Sequence, residues 1–179
     1  MTNTPPSLPA AGLSVRHFAN YVVRPTLGFL GDGFPGIESE AAVELILGTA
    51  AQESQFRALD QITGSNDRML GPAYGLFQIE PATWGDLRRN YLAHRLELNI
   101  RVTQLLAPHP ATDVQLVSNL AFAVAIARLI YYRSPIKLAR AGDVEGHAAV
   151  WKQVYNTPRG KGRPEEFVAN YRRLVAPSL

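Results

Sequence analysis

A chain of 179 residues, 46% of them hydrophobic, is long enough to bury one sizeable core. With no cysteine it has no disulfide framework, thiolate nucleophile or Cys-based zinc site. A net charge of +3 with a pI near 9.4 favours an anionic partner, but is too small to argue for nucleic acid.

Residues 1–12, MTNTPPSLPAAG, lack the basic and apolar regions of a signal peptide and read as a flexible, Pro-rich lead-in to a single domain over 13–179. Ser14 caps a predicted helix from Val15 to about Arg24, ended by Pro25. GDGFPG at 31–36 is a loop, and Ser39 caps a second helix running to about Ser54. Residues 57–72 form a long irregular stretch, of a length that is often functional in a compact domain. A small extended segment is expected near 74–80. Pro81 suits the first turn of a short helix through Asn90. Further helices are predicted over Ala93–Leu106, over Asp113–Arg133 as a buried central helix, after Pro135, from Asp143 to Tyr155, and from Pro164 onward. The fold class is therefore mainly α. The apolar run Leu116–Tyr132 is interrupted by Ser118, Asn119 and Arg128, so no membrane span is expected.

In the second helix Ala42, Val43, Ile46, Thr49, Ala50 and Glu53 share one face. Glu53 continues a buried stripe at the helix's negative end, and both circumstances raise a carboxyl pKa. A Glu that keeps its proton near neutrality can serve as a general acid.

Three blocks follow one another in the chain: Glu53-Ser54-x-Phe56, then Gly75-Leu76-Phe77-Gln78-Ile79-x-Pro81-x-Thr83, then Val154-Tyr155-Asn156-Thr157. Together they resemble the soluble lytic transglycosylase and goose-type lysozyme family, in wording closest to phage- or prophage-encoded members. The resemblance implies a lysozyme-like helical domain that cleaves the β-1,4 bond between N-acetylmuramic acid and N-acetylglucosamine in peptidoglycan. It implies Glu53 as catalytic acid, Tyr155 approaching it, and a sugar cleft lined by Ser54, Tyr74, Gly75, Leu76, Gln78, Glu80 and Asn156. A buried acid needs a polar partner, and a phenol supplies one without a charge, so the Tyr155 hydroxyl is expected to reach Glu53. Gly75 is expected to let the main chain approach a sugar.

Glu80 departs from the family, which often carries an apolar residue there. It reads either as a second carboxylate or as a first-turn Glu favoured by the helix dipole. Asp60, Asp67 and Asp86 are second carboxylates only by default. The basic run Arg159-Gly160-Lys161-Gly162-Arg163 is either a carboxylate-binding loop or a solvated one. His17, His94, His109 and His147 match no ligand spacing, so no metal and no cofactor is implied. The expected partner is the peptidoglycan glycan strand, met in the periplasm or cell wall after delivery with a virion or release by host lysis. A rival reading is a virion structural or binding protein with this fold, contacting other virion proteins and cutting weakly or not at all.

Overall fold

The computed structural model describes residues 12–59, 71–158 and 160–179. The predicted lead-in, apart from Gly12, lies outside them, as do Asp60, Asp67, most of the predicted 57–72 loop, and Arg159. The chain is mainly α-helical. Buried apolar side chains form one continuous cluster, with members from Val15 to Val175.

The first helical stretch overrides the stop expected at Pro25. Helix α1 (Val15–Phe18) passes through a π turn at Ala19–Val23 into α2 (Arg24–Gly31). Arg24 donates its N–H to Ala19, five residues back. The widened turn makes room for the proline ring, which would clash with the carbonyl four residues earlier in a regular helix.

Helix α3 (Glu40–Ser54) starts where Ser39 Oγ accepts the Ala42 N–H at 3.1 Å. Burial is not confined to the predicted face, for Leu45, Leu47 and Ala51 are also fully enclosed. An element apolar on most sides belongs inside the domain. Arg128 of α7 (Leu120–Tyr132) staples the preceding loop to the core by donating Nε to Ile37 O at 2.8 Å and Nη2 to Gly36 O at 2.7 Å.

After α4 (Pro81–Asn90), the helix predicted over Ala93–Leu106 is split. A 3-10 turn at Leu92–His94 is followed by a non-helical Arg95, whose guanidinium lies 3.8 Å from the Tyr91 ring, and then by α5 (Leu96–Gln104). The predicted continuous helix Asp113–Arg133 is also broken, into α6 (Thr112–Ser118) and α7, which meet at 102°. Asn119 makes the break. Its Oδ1 accepts the Phe122 N–H at 3.0 Å and its Nδ2 donates to Leu105 O at 2.7 Å. Among the described residues no single helix is long and apolar enough to cross a membrane.

No helix follows Pro135. The backbone over 133–143 is irregular, and Gly142 is pinned by donating its N–H to Glu44 Oε2 at 2.7 Å. Asp143 then caps α8 (Val144–Val154), accepting the Gly146 N–H at 2.8 Å. Pro164 opens α9 (Pro164–Asn170), which packs on α3 and α8 and continues through a π turn at Tyr171–Val175. The extended segment expected near 74–80 reduces to one antiparallel bridge, Tyr74 with Ile79. The residues between turn back too tightly for a strand, with φ of 72° at Gly75 and 48° at Gln78.

Candidate active site

At its C-terminal end α3 is closed by Ser54. The Ser54 hydroxyl donates to Ala50 O at 3.0 Å and accepts the Phe56 N–H at 3.2 Å. Gln55 and Phe56 then take left-handed conformations, and Phe56 buries its ring against Phe18. This turn directs the chain away and leaves Glu53 half-buried at the rim of a cavity of about 680 Å³. Ser54 lines that cavity, but its hydroxyl is committed to the backbone. It shapes the turn at the edge of the cleft it was expected to line.

Glu53 Oε1 accepts the indole N–H of Trp151 at 2.9 Å. Burial pushes the Glu53 pKa up to about 7, against the Trp151 hydrogen bond, which favours the ionised form. Trp151 is itself fixed. Its ring is buried, tilted on Phe167 at 5.6 Å, and so close to Gly162 that a Cβ there would lie 2.5 Å from it. The carboxyl thus has a defined orientation set by a neutral donor. Among the described residues Glu53 has no ion-pair partner.

Trp151 occupies the place expected of Tyr155. The Tyr155 hydroxyl donates instead to Phe77 O at 2.7 Å. Trp151 lies in the last turn of α8 and Tyr155 just past its end, and the earlier one reaches the acid. Tyr155 stacks on Tyr131 at 5.4 Å, and the Tyr131 hydroxyl shares a 2.7 Å hydrogen bond with Thr49. Burial holds both phenols well above their ordinary pKa, and proximity to Glu53 adds to it. Both therefore remain neutral near the acid. Tyr155 acts on the site by tethering the 74–80 strip.

Within that strip the expected contacts divide. Gly75 is needed because a Cβ would overlap the Leu116 carbonyl, so its close neighbour is the protein backbone where a sugar was expected. Leu76 is 3% exposed and belongs to the core. Tyr74 is half-buried against the core. Gln78 and Glu80 do face the site. Both line the 680 Å³ cavity and also an adjoining one of about 220 Å³. Gln78 holds its turn by donating Nε2 to Gly75 O at 2.8 Å. Asn156 lines the larger cavity and accepts from Lys152 Nζ at 2.8 Å.

Among the described residues Gln52, Gln55, Arg57, Ala58 and Ala73 also line the larger cavity and were not anticipated. Gln52 and Gln55 flank Glu53 in the sequence, which was the available signal. Trp151 offered another, since indole is a donor that adds no charge. Among the described residues the non-glycine positions with positive φ are Gln55, Phe56, Gln78 and Thr157. Three of these line one or other cavity, and backbone strain of this kind gathers at functional sites.

The default acid Asp86 is occupied elsewhere, paired with Arg133 at 2.5 Å and hydrogen-bonded to Asn90. In the basic run Arg163 pairs with Glu166 at the start of α9, and Lys152 rather than Lys161 bonds the loop, through Gly160 O at 2.7 Å. Among the described residues no group of three or more His, Asp or Glu is placed to hold a metal. His147 is fully buried and faces Glu44 at 2.9 Å. Comparison of the chain with protein-family models, curated proteins and solved structures finds no match.

Proposed function

We propose that this chain is a peptidoglycan-cleaving glycosidase, of the lytic transglycosylase or goose-type lysozyme kind, with Glu53 as general acid. The observation that carries the reading is one carboxyl group. It stands half-buried on a cavity wall, its pKa is raised to about 7, and a neutral indole N–H orients it.

Cleavage of a β-1,4 glycosidic bond needs a proton on the departing oxygen as the C1–O bond breaks. Protonated Glu53 supplies it. The indole hydrogen bond persists in the ionised form and favours it, which helps release the proton without a permanent cation that would strip it beforehand. Gln52, Gln78 and Asn156 contribute amide groups that donate and accept, as acetamido groups and hydroxyls of a glycan require. Tyr155 is a positioning residue, holding the Phe77 carbonyl and through it the strip that bears Gln78. The acid step is common to attack on C1 by water and by the muramyl 6-hydroxyl. The glycan strand is the partner, reached in the cell wall from a virion or after host lysis.

Incubation with purified sacculi tests this. The wild-type protein is expected to release soluble glycan fragments. Glu53→Gln should lower that release by about 100-fold or more, the usual contribution of a general acid, with an unchanged circular dichroism spectrum. Intact sacculi with the wild-type protein, or full activity in Glu53→Gln, contradict the reading. Binding to sacculi without release would favour the virion binding role.

A further inference from the structure

We propose that Glu80 is a second catalytic carboxylate, the general base that activates water, and that the chain is therefore a hydrolase. The inference rests on the reading of Glu53 as the acid.

Glu80 occupies the N-cap position of α4, with φ −75° and ψ 138°. A carboxylate there ordinarily folds back to accept an amide N–H of the first turn. This one does not, and the Thr83 and Trp84 N–H groups bond the Glu80 backbone carbonyl at 2.9 and 3.2 Å. The side chain is exposed and makes no hydrogen bond or ion pair among the described residues. Helix capping thus leaves the carboxylate unexplained.

Its position supplies the explanation. Glu80 lines the same 680 Å³ cavity as Glu53, but from a different chain segment, the entry to α4 rather than the exit from α3. The cavity has room for a sugar and a water together. Beside Glu80, Gln78 holds a left-handed φ of 48° and clasps Gly75 O through Nε2, which leaves its Oε1 as an acceptor on the same wall. A water between Gln78 and Glu80 meets two acceptors for its two protons.

The step balances. Glu80 removes a proton from water while the water oxygen bonds to the muramyl C1. The C1–O4 bond breaks, its electron pair passes to O4, and Glu53 delivers a proton there. One water is consumed, and the proton on Glu80 returns to Glu53 through solvent.

Mass spectrometry of fragments from purified sacculi tests the proposal, because hydrated reducing ends and 1,6-anhydro ends differ by one water. The wild-type protein should give hydrated ends. Glu80→Gln should lower their release by about 100-fold or more, with melting temperature and oligosaccharide binding retained. Azide needs no base, so Glu80→Ala with azide should form a glycosyl azide, which a structural role for Glu80 would not produce. Anhydro ends from the wild-type protein, or Glu80→Gln within about threefold of wild type, would overturn this inference and leave Glu53 in place as the acid. No fragments at all from the wild-type protein would overturn both.

Discussion

Glu53 links the proposed chemistry to stability through one proton. Its pKa rises from 4.5 to about 7 in the folded chain. Below pH 4.5 the carboxyl is protonated in both states and costs nothing. As pH climbs from 4.5 to about 7 the unfolded chain ionises first, so stability is lost across that window and then levels off. The loss is up to about 3 kcal/mol, at about 1.4 kcal/mol per pKa unit. Glu53→Gln keeps an acceptor for Trp151 but cannot ionise. In urea titrations it should match wild type at pH 4 and exceed it by up to about 3 kcal/mol at pH 8. A gap that does not vary with pH would contradict this. The two aromatic neighbours separate cleanly. Trp151→Phe removes the bond that favours the ionised form, so the Glu53 midpoint and the alkaline limb of activity should both move upward. Tyr155→Phe frees Phe77 O and should cost about 1 kcal/mol of stability while preserving the Glu53–Trp151 bond. Glu53 was legible because its helical phase is a local property. Trp151 was not, since 98 residues separate it from its acceptor and only the packing of α8 on α3 brings them together.

Elements with local start signals were read correctly from sequence: Ser39 before α3, Pro81 in α4, Asp143 before α8. Those decided by distant partners were not. The bend between α6 and α7 depends on Asn119 bonding Leu105 O across a loop. The helical run through Pro25 was missed for a local reason, the π turn that makes room for the proline ring. Asn119→Ala should therefore cost about 1–3 kcal/mol, from the lost cap and the Leu105 carbonyl left without its donor. In the 74–80 strip, Gly75→Ala combines a positive φ with overlap on the Leu116 carbonyl. The two effects should sum to about 2–4 kcal/mol, and thermal unfolding reads it. A Gly75→Ala protein as stable as wild type would show that α6 can retreat. The strip illustrates how one motif serves two ends: Gly75 and Leu76 face the fold, while Gln78 and Glu80 face the cavities.

Across the whole molecule, the mainly α architecture places the C-terminal end of α3, the 74–80 turn and the end of α8 around one cavity. The buried length of α3 anchors Glu53 in a rigid element, and α9 packed behind α3 and α8 fixes Trp151. The helical class was legible because hydrophobic periodicity is a property of the entire chain. The walls of the cavity were only partly so, because they come from segments far apart in sequence. The proposed cleavage depends on Glu53 retaining its proton near neutrality inside this arrangement. Carbon-13 NMR of the Glu53 carboxyl, assigned by comparison with Glu53→Gln and followed from pH 3 to 9, measures that directly. The predicted midpoint is about 7, with burial as its cause. A midpoint at or below the ordinary 4.5 would contradict the assignment of Glu53 as a general acid.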